Sequence, residues 1–259
     1  MSLGAAPAGA LHASLPMYDW PEVRAETLAT WAAIRDGARA RGVAMPEALD
    51  EPDWGAIDAY WRDPALILSQ CCWGPLSLGL IDHLLPLAQP DYSPFLGGRG
   101  PYYRSALVAR PETAVALGLT AAEPVPATPG ASLPPGLLEG RRFAVNERAS
   151  LSGCLALDRD LGADPCTLAA ECVETGGHRT SVVAVAEGRA DVAAIDCRSW
   201  DLALRVEPAA GGLVVIGWTA ERPGLPYVTS RATDPGVAGK LTEQLTSMGC
   251  FAVAAGREE

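Results

Sequence analysis

Between Arg141 and Trp200 the chain runs three times through one pattern: a short apolar run, a turn crowded with polar residues, then the start of a helix. The first copy is Arg141-Arg-Phe-Ala-Val-Asn146, followed by Glu147-Arg-Ala-Ser-Leu-Ser-Gly153. The second turn is Glu174-Thr-Gly-Gly-His-Arg179, and the third run is Ala190-Asp-Val-Ala-Ala-Ile-Asp196. Strand followed by helix, repeated, requires an α/β protein whose sheet is covered by helices. Such sheets bind ligands beyond the carboxyl ends of their strands, where helix N-termini leave N–H groups without intrahelical partners. The expectation is a small-molecule site suited to an anion.

Length and charge narrow the class. With 259 residues, 49% of them in the hydrophobic set, the chain can fill two lobes of ordinary domain size. A formal charge of −11 opposes binding to nucleic acid, whose phosphates need a basic surface. No run reaches the roughly 18 apolar residues of a membrane span. Met1–Ala10 has neither a basic n-region nor an apolar h-region. These residues predict a cytoplasmic chain unless a leader has been removed. Seven cysteines, Cys71, Cys72, Cys154, Cys166, Cys172, Cys197 and Cys250, form an odd set without a Cys-x-x-Cys pair. They read as free, mostly buried thiols rather than a disulfide framework. The three histidines lack ligand spacing with any cysteine, so no metal is expected. No cofactor is expected either.

Along the chain, residues 1–12 read as a disordered tail and Ala13–Tyr18 as a first strand, irregular at Pro16. Asp19 is placed to cap a helix with Pro21 in its first turn. That helix ends at Gly42, and Leu28, Trp31, Ile34 and Ala38 would form its core-facing stripe. A short strand is expected around Val43, a helix near Trp54–Trp61, and a buried strand at Ala65–Ser69. A helix through Leu80, a strand at Leu84–Leu87 and a long strand from Tyr102 to Arg110 follow. Pro111–Pro135, rich in Ala, Pro, Thr and Gly, reads as a surface insertion with one short helix. After the three-strand segment come strands at Leu213–Trp218 and Leu225–Thr229, then a capped helix at Asp234–Met248.

The candidate site residues each have two readings. Ser150 and Ser152 beside Gly153 offer hydroxyls and helix N–H groups to an anion, although a serine at a helix start is also an ordinary cap. His178, after Gly176-Gly177, is a donor to an oxyanion or a surface turn residue. Asp196 is a binding carboxylate or a cap. Tyr18, Gln70, Tyr102 and Tyr103 stand at strand ends, where tyrosine serves a cleft or plain packing equally well. Ser152, His178 and Asp196 are the residue types of a nucleophilic triad. However, Ser150 and Cys154 occupy the glycine positions of Gly-x-Ser-x-Gly, and the chain order differs from that of α/β hydrolases.

Taken together, several segments resemble one family. They are Ala13-Ser-Leu-Pro-Met-Tyr-Asp19, Leu68-Ser-Gln-Cys71, Tyr103-Arg-Ser-Ala-Leu-Val108, Asn146 with Ser150-x-Ser-Gly153, Glu174-Thr-Gly-Gly-His-Arg179 and Gly188-Arg-Ala-Asp-Val-Ala-Ala-Ile-Asp196. The family is the phosphate/phosphite/phosphonate-binding proteins of ABC transporters, and the likeness runs from about Ala13 to Thr229. It implies the type II periplasmic binding protein fold: two α/β lobes joined by two crossing strands, with ligand held in an interlobe cleft. Lobe one would be 13–104 plus 214–259, and lobe two 105–213. The resemblance also implies that Ser150, Ser152 and Gly153 meet the oxyanion. His178 and Asp196 match the family's histidine and acidic residue, Asn146 belongs to the same motif, and Tyr18 and Tyr103 match its aromatic positions.

The family's usual Ser-Thr-Ser triplet is here Ser150-Leu-Ser152, one hydroxyl fewer. The function implied is a solute-binding protein without catalysis, taking a small phosphonate-like anion for an ABC transporter permease or a sensor. The family is typically periplasmic. The alternative is a cytoplasmic enzyme on the same fold, acting on a small carboxylate or phosphonate-like metabolite with His178 or Asp196 as acid or base.

Overall fold

The computed structural model describes residues 10–254. In chain order its strands are β1 His12–Ala13, β2 Leu66–Gln70, β3 Leu84–Gln89, β4 Tyr102–Tyr103, β5 Ser105–Ala109, β6 Arg142–Val145, β7 Glu171–Glu174, β8 Val192–Asp196, β9 Val214–Trp218, β10 Arg222–Pro223, β11 Tyr227–Ser230 and β12 Phe251–Ala252. The helices are α1 Arg24–Ala40, α2 Ile57–Trp61, α3 Trp73–Ser77, α4 Pro111–Ala116, α5 Ala156–Leu161, α6 Pro165–Leu168, α7 His178–Ala186, α8 Cys197–Val206 and α9 Pro235–Ser247. Contacts divide the chain into two compact units, one of Met1–Pro90 with Leu225–Glu259, the other of Asp91–Gly224. Both expected lobe borders therefore move outward from 104 and 214. The reason lies in β9, assigned beforehand to lobe one, which pairs with β5 of the second unit.

In the first unit the sheet order is β1-β2-β11-β3-β12. β1 runs parallel to β2, and β11 returns antiparallel between β2 and β3. His12 pairs with Leu66, so the expected tail is ordered at its end; residues 1–9 lie outside the described residues. Ala13–Tyr18 is strand only at its first residue, because Pro16 begins a 3-10 turn, Pro16–Tyr18. Asp19 caps nothing; its carboxylate pairs with the Arg24 guanidinium instead. Trp31, Ile34 and Ala38 of α1 are buried as expected, but Leu28 is 44% exposed. At 100° per residue Leu28 sits about 120° around the helix from Ile34, outside the buried arc. No strand forms at Val43, which is buried in a loop instead.

The second unit has sheet order β7-β6-β8-β5-β9. β6, β7 and β8 are mutually parallel, so their carboxyl ends share one edge. β5 runs antiparallel to β8, which brings its first residue, Ser105, opposite Asp196, the last residue of β8. The core beneath holds Leu107, Phe143, Val145, Leu157, Val192 and Ile216. The long strand expected from Tyr102 to Arg110 breaks at Arg104, whose guanidinium is buried. It donates to the carbonyls of Thr128, Gly130 (2.7 Å) and Thr219 (2.9 Å). The expected surface insertion is thus pinned to the unit's interior at Thr128–Gly130, and Ser132 bridges to Trp218. Cys166 and Cys172 form a disulfide, against the expectation of seven free thiols. Cys71, Cys72, Cys154 and Cys197 are buried thiols, as read.

Candidate functional site

Three parallel strands deliver the polar turns to one edge of the second unit. After β6, Asn146 leads to Ser150, whose hydroxyl accepts the Gly153 N–H at 3.2 Å. The helix that starts here opens with a wide, π-type turn, Leu151–Leu155. The Leu155 N–H reaches back to the Ser150 carbonyl at 3.0 Å, and α5 continues from Ala156. Turns of this type recur at functional sites. Gly153 lets the turn pack close against Asn146, whose amide would have to move for any larger residue. A Cβ there would lie 1.7 Å from Asn146 Oδ1, a buried acceptor with no hydrogen-bond partner.

After β7, the Thr175 N–H bonds the Val145 carbonyl and the Gly176 N–H bonds the Asn146 carbonyl, both at 2.9 Å. Gly176 takes φ +79°, a left-handed conformation suited to glycine. These bonds press the second turn against the first. His178, the first residue of α7, then lies with Nε2 2.8 Å from Ser152 Oγ. After β8, Asp196 caps α8: one carboxylate oxygen accepts from the N–H groups of Arg198 (3.1 Å) and Ser199 (3.0 Å). The other oxygen lies 3.4 Å from His178 Nε2.

The same ring nitrogen therefore faces both Ser152 and Asp196, while Nδ1 is buried without a hydrogen-bond partner. A proton on Nε2 satisfies the carboxylate, whereas a proton on Nδ1 would leave a buried donor orphaned. A serine nucleophile's relay needs the reverse, with the carboxylate on Nδ1 and Nε2 left for the serine. Burial pushes the His178 pKa below the ordinary histidine value, outweighing the upward pull of Asp196. The ring is a neutral donor at neutral pH, and this geometry does not make an enzyme triad.

Ser150, Ser152 and Asp196 are 6%, 3% and 2% exposed. Tyr103, also of this unit, is fully buried beside Tyr92, ring centroids 5.6 Å apart, and Tyr102 lies under the Arg99 guanidinium. Tyr18 and Gln70 belong to the first unit. Tyr18 is buried in the 3-10 turn, and Gln70 ends β2 opposite Tyr227. So Asn146, Ser150, Ser152, Gly153, His178 and Asp196 are brought together within one unit.

Sequence reasoning missed Ser105, whose hydroxyl donates to the Ser152 carbonyl at 2.9 Å. Its signal was a lone hydroxyl opening an otherwise apolar strand. Elsewhere in this unit, a cavity of about 430 Å³ is lined by Arg99, Arg104, Pro126 and Glu221. Its charged groups are engaged with one another, Arg99 and Glu221 at 2.6 Å.

The fold places the protein in a known class. PhnD1 of Prochlorococcus marinus, in complex with methylphosphonate, superposes with TM-score 0.64 at 15% identity, over 91% of this chain and 83% of that one. The binding component of a Pseudomonas aeruginosa ABC phosphonate transporter gives 0.63 at 16%, over 94% and 81%. A Xanthomonas citri protein bound to chloride gives 0.61 at 18%, over 92% and 83%. This is the type II periplasmic binding protein fold. Residues 82–255 match the model of the ABC transporter phosphonate periplasmic substrate-binding proteins, and the chain belongs to that family. It is a solute-binding protein, not an enzyme. No curated protein sequence matches it. Among the described residues no helix is long and apolar enough to cross a membrane.

Proposed function

We propose that the chain captures a small phosphonate or phosphite through the turn Ser150–Gly153 and His178, and presents it to an ABC transporter permease or a sensor. The observation that carries this reading is the 2.8 Å contact between Ser152 and His178, each in the first turn of its own helix. Helix N-termini and hydroxyls stabilise oxyanions without a free cation. The nearby arginines are already paired, Arg148 with Asp164 and Arg179 with Glu207. Asp196 would repel a fully ionised ligand, so it meets a ligand hydroxyl, an amine or a protonated phosphonic oxygen. Asn146 borders the same turn. Tyr18, Gln70 and Tyr103 are included as further contacts on the strength of the family resemblance.

Calorimetric titration with methylphosphonate, phosphite, phosphate and acetate tests the reading. Saturable one-to-one binding of methylphosphonate or phosphite is expected, with acetate at least about tenfold weaker. Phosphorus NMR should recover the ligand unchanged. Acetate binding as tightly as the phosphorus oxyanions, or a converted product, would overturn it.

A further inference from the structure

We infer that Ser105 is a positioning residue for the oxyanion site: it holds the Ser152 turn in register with the His178–Asp196 pair. The inference rests on the proposed placement of the ligand at Ser152. Ser105 is wholly buried, and β5 is apolar after it, so its hydroxyl has no solvent to turn to. It donates to the Ser152 carbonyl at 2.9 Å, across 47 residues of sequence. Its own backbone is fixed twice over. The Ser105 N–H donates to Thr219 Oγ1 at 2.8 Å, and its carbonyl accepts the Thr219 N–H at 3.0 Å. In the β5·β8 ladder Ser105 stands opposite Asp196, and the Cys197 N–H bonds the neighbouring Arg104 carbonyl at 3.0 Å.

A closed circuit results. From Ser105 it crosses the ladder to Asp196, passes from the Asp196 carboxylate to His178 Nε2 (3.4 Å), continues to Ser152 Oγ (2.8 Å), and returns through the Ser152 carbonyl to Ser105. Ser152 and His178 sit in the first turns of their helices and Asp196 ends β8 and caps α8, whereas Ser105 opens β5 and caps no helix. The brace meets the helix at its wide first turn. The Ser150 carbonyl takes two N–H groups, from Cys154 and Leu155, and the Ala156 N–H goes to Leu151. At this π-type turn, of a kind that recurs at functional sites, the Ser152 carbonyl receives a side-chain donor from outside the helix, Ser105. Removing the Ser105 hydroxyl leaves the backbone ladder in place but frees the Ser152 peptide to rotate away from His178.

The test joins a ligand-free readout to a binding cycle. With three histidines in the chain, the His178 ring signals can be assigned in ligand-free protein. Ser105→Ala should shift them in the direction produced by Ser152→Ala. Methylphosphonate affinity should fall on the order of tenfold in Ser105→Ala, while Ser105→Ala/Ser152→Ala should bind no more weakly than Ser152→Ala alone. Ser105→Cys, nearly isosteric but a poor donor, should follow Ser105→Ala, which guards against a folding defect in either. Ser69→Ala, which removes a buried hydroxyl of the first unit and touches none of these groups, should keep affinity within about twofold. An unmoved His178 ring in Ser105→Ala, losses that add in full, or an equal loss in Ser69→Ala would each overturn the inference. Absence of binding in the unmutated protein would instead sink the proposed function, and the ligand-free ring shift would still judge Ser105.

Discussion

The two units treat buried hydroxyls in opposite ways. In the first, Ser14 and Ser69 bond each other at 2.9 Å, and Ser69 also takes the Trp61 indole N–H at 3.2 Å. That cluster is internally complete: every donor meets an acceptor, and the gain is stability. In the second, the hydroxyls of Ser150 and Ser152 gather beside His178 and Asn146, yet His178 Nδ1 and Asn146 Oδ1 remain buried without hydrogen-bond partners. An unsatisfied buried polar atom costs roughly 1–3 kcal/mol, so each of the two calls for a reason beyond packing. The first cluster closes on itself; the second leaves polar atoms over, and it is the one the proposed ligand would meet.

The sharpest way to break this contrast is to remove one hydroxyl from each cluster. Ser69→Ala strips the partner from a buried indole and a buried serine, and should lower stability by about 2 kcal/mol in denaturant unfolding. Its methylphosphonate affinity should stay within about twofold. Were Ser69→Ala instead to abolish binding while leaving stability intact, the division between a structural and a functional cluster would be lost.

A smaller effect concerns acid. Burial lowers the His178 pKa, so the native ring resists protonation while the unfolded ring accepts a proton near pH 6.5. The stability that depends on the neutral ring is fully present above that value. It is lost as pH falls below about 6.5 toward the lower native pKa. The stability of the unmodified protein relative to His178→Asn should therefore drop between pH 7.5 and 5.5, read as the difference in Tm. A difference that grew on acidification would mean a charged native ring held by Asp196.

Much of the second unit was legible because its grammar is local. The apolar run Val192–Ile195 with Asp196 at its end declares a strand and a cap in one stretch, and both form. Asp196 also shows that the two readings of a polar strand end need not compete, since one oxygen caps α8 and the other faces His178. What escaped was set by partners distant in sequence. Arg104 breaks an apparently continuous strand because carbonyls from Thr128, Gly130 and Thr219 surround its guanidinium. Cys166 and Cys172 lack a motif spacing and meet only because α6 leads directly into β7. Leu28 fits a helical spacing but faces away from the packing between α1 and α9. The brace from Ser105 to Ser152 was invisible for the same reason: antiparallel β5 had to be known before its first residue could be placed beside Asp196.

One titration asks directly whether the Ser150–Gly153 turn and His178 hold the oxyanion. Methylphosphonate is titrated calorimetrically into the unmutated protein and into Ser152→Ala/His178→Ala, with Tm recorded for both. Saturable heat is expected in the first and an affinity at least about a hundredfold weaker in the second, at a Tm within a few degrees. Equal affinity in the two proteins would contradict that placement.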